Sequence, residues 1–117
     1  MSGNRAERVA EAIRAELADM IRRNVKDPRV ERAGLLTVTR VEVTRDISVA
    51  RVWVSFVGGT KAAIPAAIEG LTSAAGVMRG EIGRRLSLRH APDLRFHTDD
   101  TAEFLARLDA AVRKDPE

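Results

Sequence analysis

The sequence predicts an α+β domain of order α-β-β-α-α-β with a short terminal helix, and three observations predict it. Apolar residues recur every four positions at the start, two adjoining runs of β-branched residues alternate in the middle, and helical spacing returns before one last alternating run. From Asn4 to about Asn24, Val9, Ile13, Leu17 and Ile21 form one stripe, widened by Ala6, Ala10 and Met20. That is an amphipathic helix, with Arg22 and Arg23 placed where the negative end of its dipole favours cations. Asn24 and Asp27-Pro28 stop it.

Leu35 to Thr44 and Ser48 to Val57 read as antiparallel strands joined by Arg45-Asp46-Ile47. In the second strand Ala50, Val52, Val54 and Phe56 alternate with Arg51, Trp53 and Ser55, so the even positions face the core and Trp53 falls on the polar face. In the first strand the apolar phase is even at Leu36 and Val38 but odd at Val41 and Val43. A period of two cannot change phase without an extra residue, so a bulge is expected near Thr39-Arg40.

After the turn Val57-Gly58-Gly59-Thr60, two further helices are expected. Lys61 to Ser73 carries Ile64, Ile68 and Leu71, and Val77 to Leu88 carries Met78, Ile82 and Leu86, with a small-residue joint at Ala74-Ala75-Gly76 between them. Pro92 blocks helix, and Leu94 and Phe96 alternate with Arg95 and His97 in a third strand ending at Asp99-Asp100. Asp100 and Glu103 resemble a capping box for a last helix carrying Phe104, Leu105, Leu108 and Val112. The expected division is residues 1–100 as the main domain and 101–117 as the short helix and its frayed end.

Composition narrows the function. The 117 residues hold 20 Lys and Arg against 17 Asp and Glu, a net charge of +3, and are 44% hydrophobic. Folding such a chain buries about 12,000 Å², enough for a real core. With no cysteine there is no disulfide framework, thiolate zinc site or cysteine nucleophile, which suits a reducing compartment, and the cytoplasm is the expected location. No stretch is long and apolar enough for a signal peptide or a membrane span. Aromatic residues are few, namely Trp53, Phe56, Phe96 and Phe104, so nucleic-acid binding has to lean on charge and backbone.

Two features could carry such binding. The joint Ser73-Ala74-Ala75-Gly76 either lets helices cross tightly or lets a phosphate approach unpaired N–H groups at a helix start. Around it, Arg79, Arg84, Arg85, Arg89 and Arg95 stand against only Glu81 and Asp93 between Met78 and Thr98, with His90 and His97 nearby. Those arginines form either a solvated face or a site for an anionic partner. Trp53 either packs under the terminal helix or offers a stacking or protein-binding surface. His97, Asp99 and Asp100 fit a strand end and helix cap better than a metal site or an acid–base pair. Ser48, Ser55, Ser73 and Ser87 lack the neighbours of a nucleophile, and no phosphate-loop signature follows Gly58-Gly59. No catalytic residue, metal or cofactor is expected.

Several specific blocks follow one another along the chain. They are Arg8-Val9-Ala10 with Ile13 and Glu16-Leu17, Asp27-Pro28-Arg29, Leu36-Thr37-Val38-Thr39, Val41-Glu42-Val43-Thr44-Arg45-Asp46 and Ala50-Arg51-Val52-Trp53-Val54-Ser55. Gly70-Leu71 with Ser73-Ala74-Ala75-Gly76, Arg84-Arg85-Leu86 and Pro92-Asp93-Leu94-Arg95-Phe96 complete the set. In this order they resemble the bacterial ribosome-binding factor A family. The resemblance implies a type II KH-like fold with a three-stranded sheet packed on helices, and a joint that replaces the usual Gly-x-x-Gly loop. It also implies a non-enzymatic assembly factor that binds the free 30S subunit, assists maturation of 16S ribosomal RNA and matters for growth in the cold. A monomer is expected, with no membrane and no small-molecule substrate. Ala74, Ala75 and Gly76 with Arg79, Arg84, Arg85 and Arg89 are the expected RNA contacts. A protein-binding adaptor using the sheet face around Trp53 is the rival reading.

Overall fold

A computed structural model describes residues 4–99 of the chain. The expected terminal helix at 101–117 lies outside them. Helix α1 spans Asn4–Asn24 as its stripe predicts, burying Ala10, Ile13, Leu17, Met20 and Ile21. A six-residue helix α2, Pro28–Ala33, follows at once. The dipeptide Asp27-Pro28 therefore starts a helix as well as ending one. The Asp27 carboxylate accepts the Arg29 N–H at 2.9 Å as N-cap, and the Arg29 guanidinium folds back onto it at 2.8 Å.

Strands β1 (Gly34–Val43) and β2 (Val49–Gly58) pair antiparallel, and β3 (Asp93–Thr98) lies parallel on the other side of β2. Parallel strands need a crossover. Helix α3, Ile64–Leu86, supplies it after a single 3-10 turn at Lys61–Ala63. Ala50, Val52 and Val54 of β2 and Leu94 and Phe96 of β3 point into a core completed by Ile13 and Leu17 of α1 and Leu71, Met78 and Ile82 of α3. The helices cover one sheet face, and the odd residues of β2, Trp53 among them, face the other. Among the described residues no helix is long and apolar enough to cross a membrane.

The bulge is where the phase change requires it. Val38 pairs with Val54 and Arg40 with Trp53, which leaves Thr39 as the extra residue. Its hydroxyl donates to the Asp99 carboxylate at 2.6 Å and lies 3.2 Å from the Trp53 carbonyl oxygen, so the bulge is tied to β2 and to the residue that follows β3. At the hairpin, Asp46 accepts from the Ser48 N–H at 3.1 Å, the Ser48 hydroxyl at 2.7 Å and the Thr44 hydroxyl at 2.9 Å. That net holds buried Ile47 at a φ of 60°, a conformation costly for a β-branched residue.

The opposite end of the hairpin depends on Gly34. Its φ is +115°, and a Cβ there would strike the Val57 carbonyl and approach the Gly59 nitrogen to 2.6 Å. Gly58 has a φ of +88° but open space around it. In urea unfolding, Gly58→Ala is expected to lower stability by about 1 kcal/mol, from backbone strain alone. Gly34→Ala is expected to cost about 3 kcal/mol or more, because collision adds to strain. Equal losses would show that the close approach at Gly34 does not constrain the fold.

Candidate nucleic-acid interface

Helix α3 runs unbroken through the expected joint. Two helices do not meet at Ala74-Ala75-Gly76, so no helix start and no free N–H groups exist there, and that route to a phosphate is corrected. The physical reason is local. Two alanines are strong helix formers, and one glycine costs about 1 kcal/mol, less than burial of Leu71 on one side and Met78 and Ile82 on the other returns. Ser73 also stays in register, its hydroxyl donating to the Glu69 carbonyl oxygen at 3.0 Å.

The expected contact residues separate accordingly. Ala75 packs against the core, and Ala74 does so beside a shallow depression it shares with Val25 to Pro28. Gly76 instead joins Gly80 and Gly83 along one flank of α3, at the spacing of successive turns. A Cβ at Gly76 would meet nothing within 4 Å, and at Gly80 only the tip of Arg84 at 3.7 Å. The flank is bare backbone.

What makes this flank a groove is the end of the helix. Ser87 adopts the left-handed conformation at φ 55°, and the Leu88 N–H caps the Gly83 carbonyl at 3.0 Å, turning the chain back along α3. A Cβ at Gly83 would come to 3.4 Å from that of Ala91. The resulting open groove of about 530 Å³ is lined by Gly76, Gly80 and Gly83 together with Arg79, Arg84, Arg89 and His90.

Each arginine is held differently. Arg79 donates to the Ala91 carbonyl at 2.9 Å and pairs with Asp93 at 3.2 Å, fixing the groove wall to the start of β3. Arg84 meets Glu81 at 2.7 Å but keeps 73% of its side chain exposed. Exposed pairs of this kind are weak and exchange readily for a phosphate. Arg89 is exposed and has no acidic partner among the described residues. Gly80 and Gly83 escaped the reading of the sequence, although glycine at i, i+4 and i+7 in a helical stretch is a signal that could have revealed them.

Arg85 turns the other way. It donates to Glu16 at 2.7 Å and Asp19 at 3.3 Å on α1 and to Glu81 at 3.0 Å on α3. It lies seven residues after Met78, two turns along the core stripe, which carries it under α1 and away from the groove. Its hydrogen bonds with Glu16 and Glu81 push its guanidinium pKa above the ordinary value. Desolvation alone would raise the Asp19 carboxyl, but hydrogen bonds from Arg85 and Arg23 outweigh it and hold it below its usual range. Glu81 is held low by Arg84 and Arg85. Among the described residues no three His, Cys, Asp or Glu side chains cluster to hold a metal. His97 stacks on Trp53, Asp99 accepts from Thr39, and Asp100 lies outside the described region.

Comparison with known proteins agrees with this architecture. A family model described as Ribosome-binding factor A matches residues 5–112. The Ribosome-binding factor A of Desulforamulus reducens is 49% identical over 90% of this chain and 84% of its own. That of Thioalkalivibrio sulfidiphilus is 47% identical over 95% and 83%. A crystal structure of ribosome-binding factor A from Thermus thermophilus superposes with a TM-score of 0.66 at 27% identity, covering 80% of this chain and 94% of that one. A Thermus thermophilus model fitted into a cryo-EM map of a complex between the 30S subunit and ribosome-binding factor A gives the same TM-score and identity, over 83% and 97%.

The clasp around Arg85 has a pH signature. The folded carboxyls of Asp19 and Glu81 lie below their ordinary values of 3.8 and 4.5. Their contribution to stability is thus complete above those values and is lost as pH falls through the depressed folded ones. Thermal melts across that acid range are expected to drop less steeply for Arg85→Met than for the wild type, since Asp19 keeps only Arg23 and Glu81 only Arg84. Identical slopes would mean that Arg85 does not link the two helices.

Proposed function

The chain belongs to the ribosome-binding factor A family, and on that premise we propose that it binds the 30S subunit through 16S ribosomal RNA and assists its maturation without catalysis. The observation that carries the reading is the bare glycine flank of α3 set between Arg79, Arg84 and Arg89. A sugar-phosphate backbone can approach a helix that closely only where side chains are missing, and guanidinium forks then meet its oxygens in pairs. Such contacts position a protein on RNA and carry little sequence information. That suits recognition of a folded surface.

In this reading Gly76 with Arg79, Arg84 and Arg89 makes the contact, and Arg85 holds α3 in place. Ala74 and Ala75 support the helix from its inner side. Residues 1–100 act as the RNA-binding unit and 101–117 as its appendage, working as a monomer in the cytoplasm with no cofactor or small-molecule substrate. Binding one arrangement of the precursor RNA more tightly than another shifts the population toward it, and the factor leaves when the mature surface no longer fits. Mispaired RNA persists longer at low temperature, so the need for such a factor is greatest in the cold.

Sedimentation with separated ribosomal particles at low and high salt tests the reading. The wild type is expected to travel with small subunits, with affinity falling steeply as salt rises. Arg84→Glu combined with Arg89→Glu should weaken association roughly tenfold or more and flatten the salt dependence by about two phosphate contacts. Arg85→Met should leave association close to wild type. Unchanged binding of the double variant would remove the groove from the account.

A further inference from the structure

The outer face of the sheet carries a second set of groups that the groove does not use. Register places Arg40, Trp53 and His97 in one row, one from each strand, and Glu42, Arg51 and Arg95 in the next. The Arg40 guanidinium carbon lies over the Trp53 ring, 4.0 Å from its centre, and the His97 ring centre lies 5.5 Å from it, tilted by 32°. One planar group from each strand thus meets its neighbour across the sheet. Arg40, Arg51, Arg95 and His97 are exposed.

The second row is unfavourable as it stands. Arg51 and Arg95 are directly paired across adjacent strands; Glu42 stands opposite Arg51 in register, but neither arginine makes an ion pair among the described residues. Like charges so placed destabilise a sheet. The lone carboxylate of these two rows, Glu42, lies 3.8 Å from Arg40 instead. An anion over Arg51 and Arg95 would relieve the repulsion, while the neighbouring row of rings offers π-faces and a cation.

We propose that this face binds an unpaired stretch of RNA, with bases stacked on Trp53 and His97 and phosphates on Arg51 and Arg95. Charge and stacking together favour a single strand over a duplex, whose bases are buried in their own stack. They also favour RNA over a protein, because the large exposed apolar side chains of the sheet, Leu35 and Val57, lie apart from this patch at its far end. The proposal rests on the reading that the chain meets ribosomal RNA, and adds a second contact to it.

Trp53 is the one tryptophan of the chain, so its fluorescence reports on this face directly. The full chain is titrated with a short mixed-sequence single-stranded oligoribonucleotide, the same strand annealed to its complement, and small-subunit proteins freed of RNA. The expected result is quenching by the single strand and none by the other two. By anisotropy of the labelled strand, Trp53→Leu should bind roughly tenfold more weakly, while Trp53→Phe retains most of the affinity. Arg51→Ser with Arg95→Ser should also weaken binding, with a melting temperature no lower than wild type, which separates lost contact from lost fold. The groove variant Arg84→Glu with Arg89→Glu should still show quenching, so failure of the groove and failure of this face are distinguishable. Absence of quenching by the single strand, equal quenching by the duplex, a response to the RNA-free proteins, or undiminished affinity in the Arg51 and Arg95 variant would each overturn the proposal.

Discussion

One helix has to satisfy two opposed demands. The inner stripe of α3, through Leu71, Met78 and Ile82, seals the core against β2 and β3, whereas the flank at Gly76, Gly80 and Gly83 stays stripped of side chains. Three glycines within two turns weaken a helix by about 1 kcal/mol each. The helix persists because burial on its other side outweighs that cost. The bare flank and the packed stripe therefore occupy different faces of the same element.

The surroundings of α3 follow from this division. Arg85 at its end gathers acids from α1 and from α3 itself, so the part of the helix carrying the groove is anchored to the first helix of the chain. Arg79 joins the groove wall to β3 through Ala91 and Asp93. On the far side of the sheet, the bulge at Thr39 brings Arg40 opposite Trp53. Without that extra residue the odd and even faces of β1 would exchange, and Arg40 would point toward the core.

Much of this was legible in the residues. The four-residue period of Val9, Ile13, Leu17 and Ile21 marks α1, and the phase change between Val38 and Val41 places the bulge, because both are consequences of fixed backbone geometry. The short helix α2 was not legible, since Asp27-Pro28 reads equally as an ending and a beginning. The supposed joint misled for a related reason. Small residues permit a break in a helix but do not impose one, and long-range packing of Met78 and Ile82 decided the matter. Arg85 shows the limit of reading a charge run. It sits among arginines in the sequence, yet its acids Glu16 and Asp19 come from an element more than sixty positions away.

The account stands or falls on whether the glycine flank of α3 touches RNA. The chain has no cysteine, so a single one carrying a short photoreactive group can be placed at will, and at Gly80 it meets only the tip of Arg84. Irradiation of the small-subunit complex is predicted to join Gly80→Cys to ribosomal RNA, and to leave the same probe at exposed Glu31 on α2 unattached. Crosslinking from Glu31 with none from Gly80 would contradict the central claim.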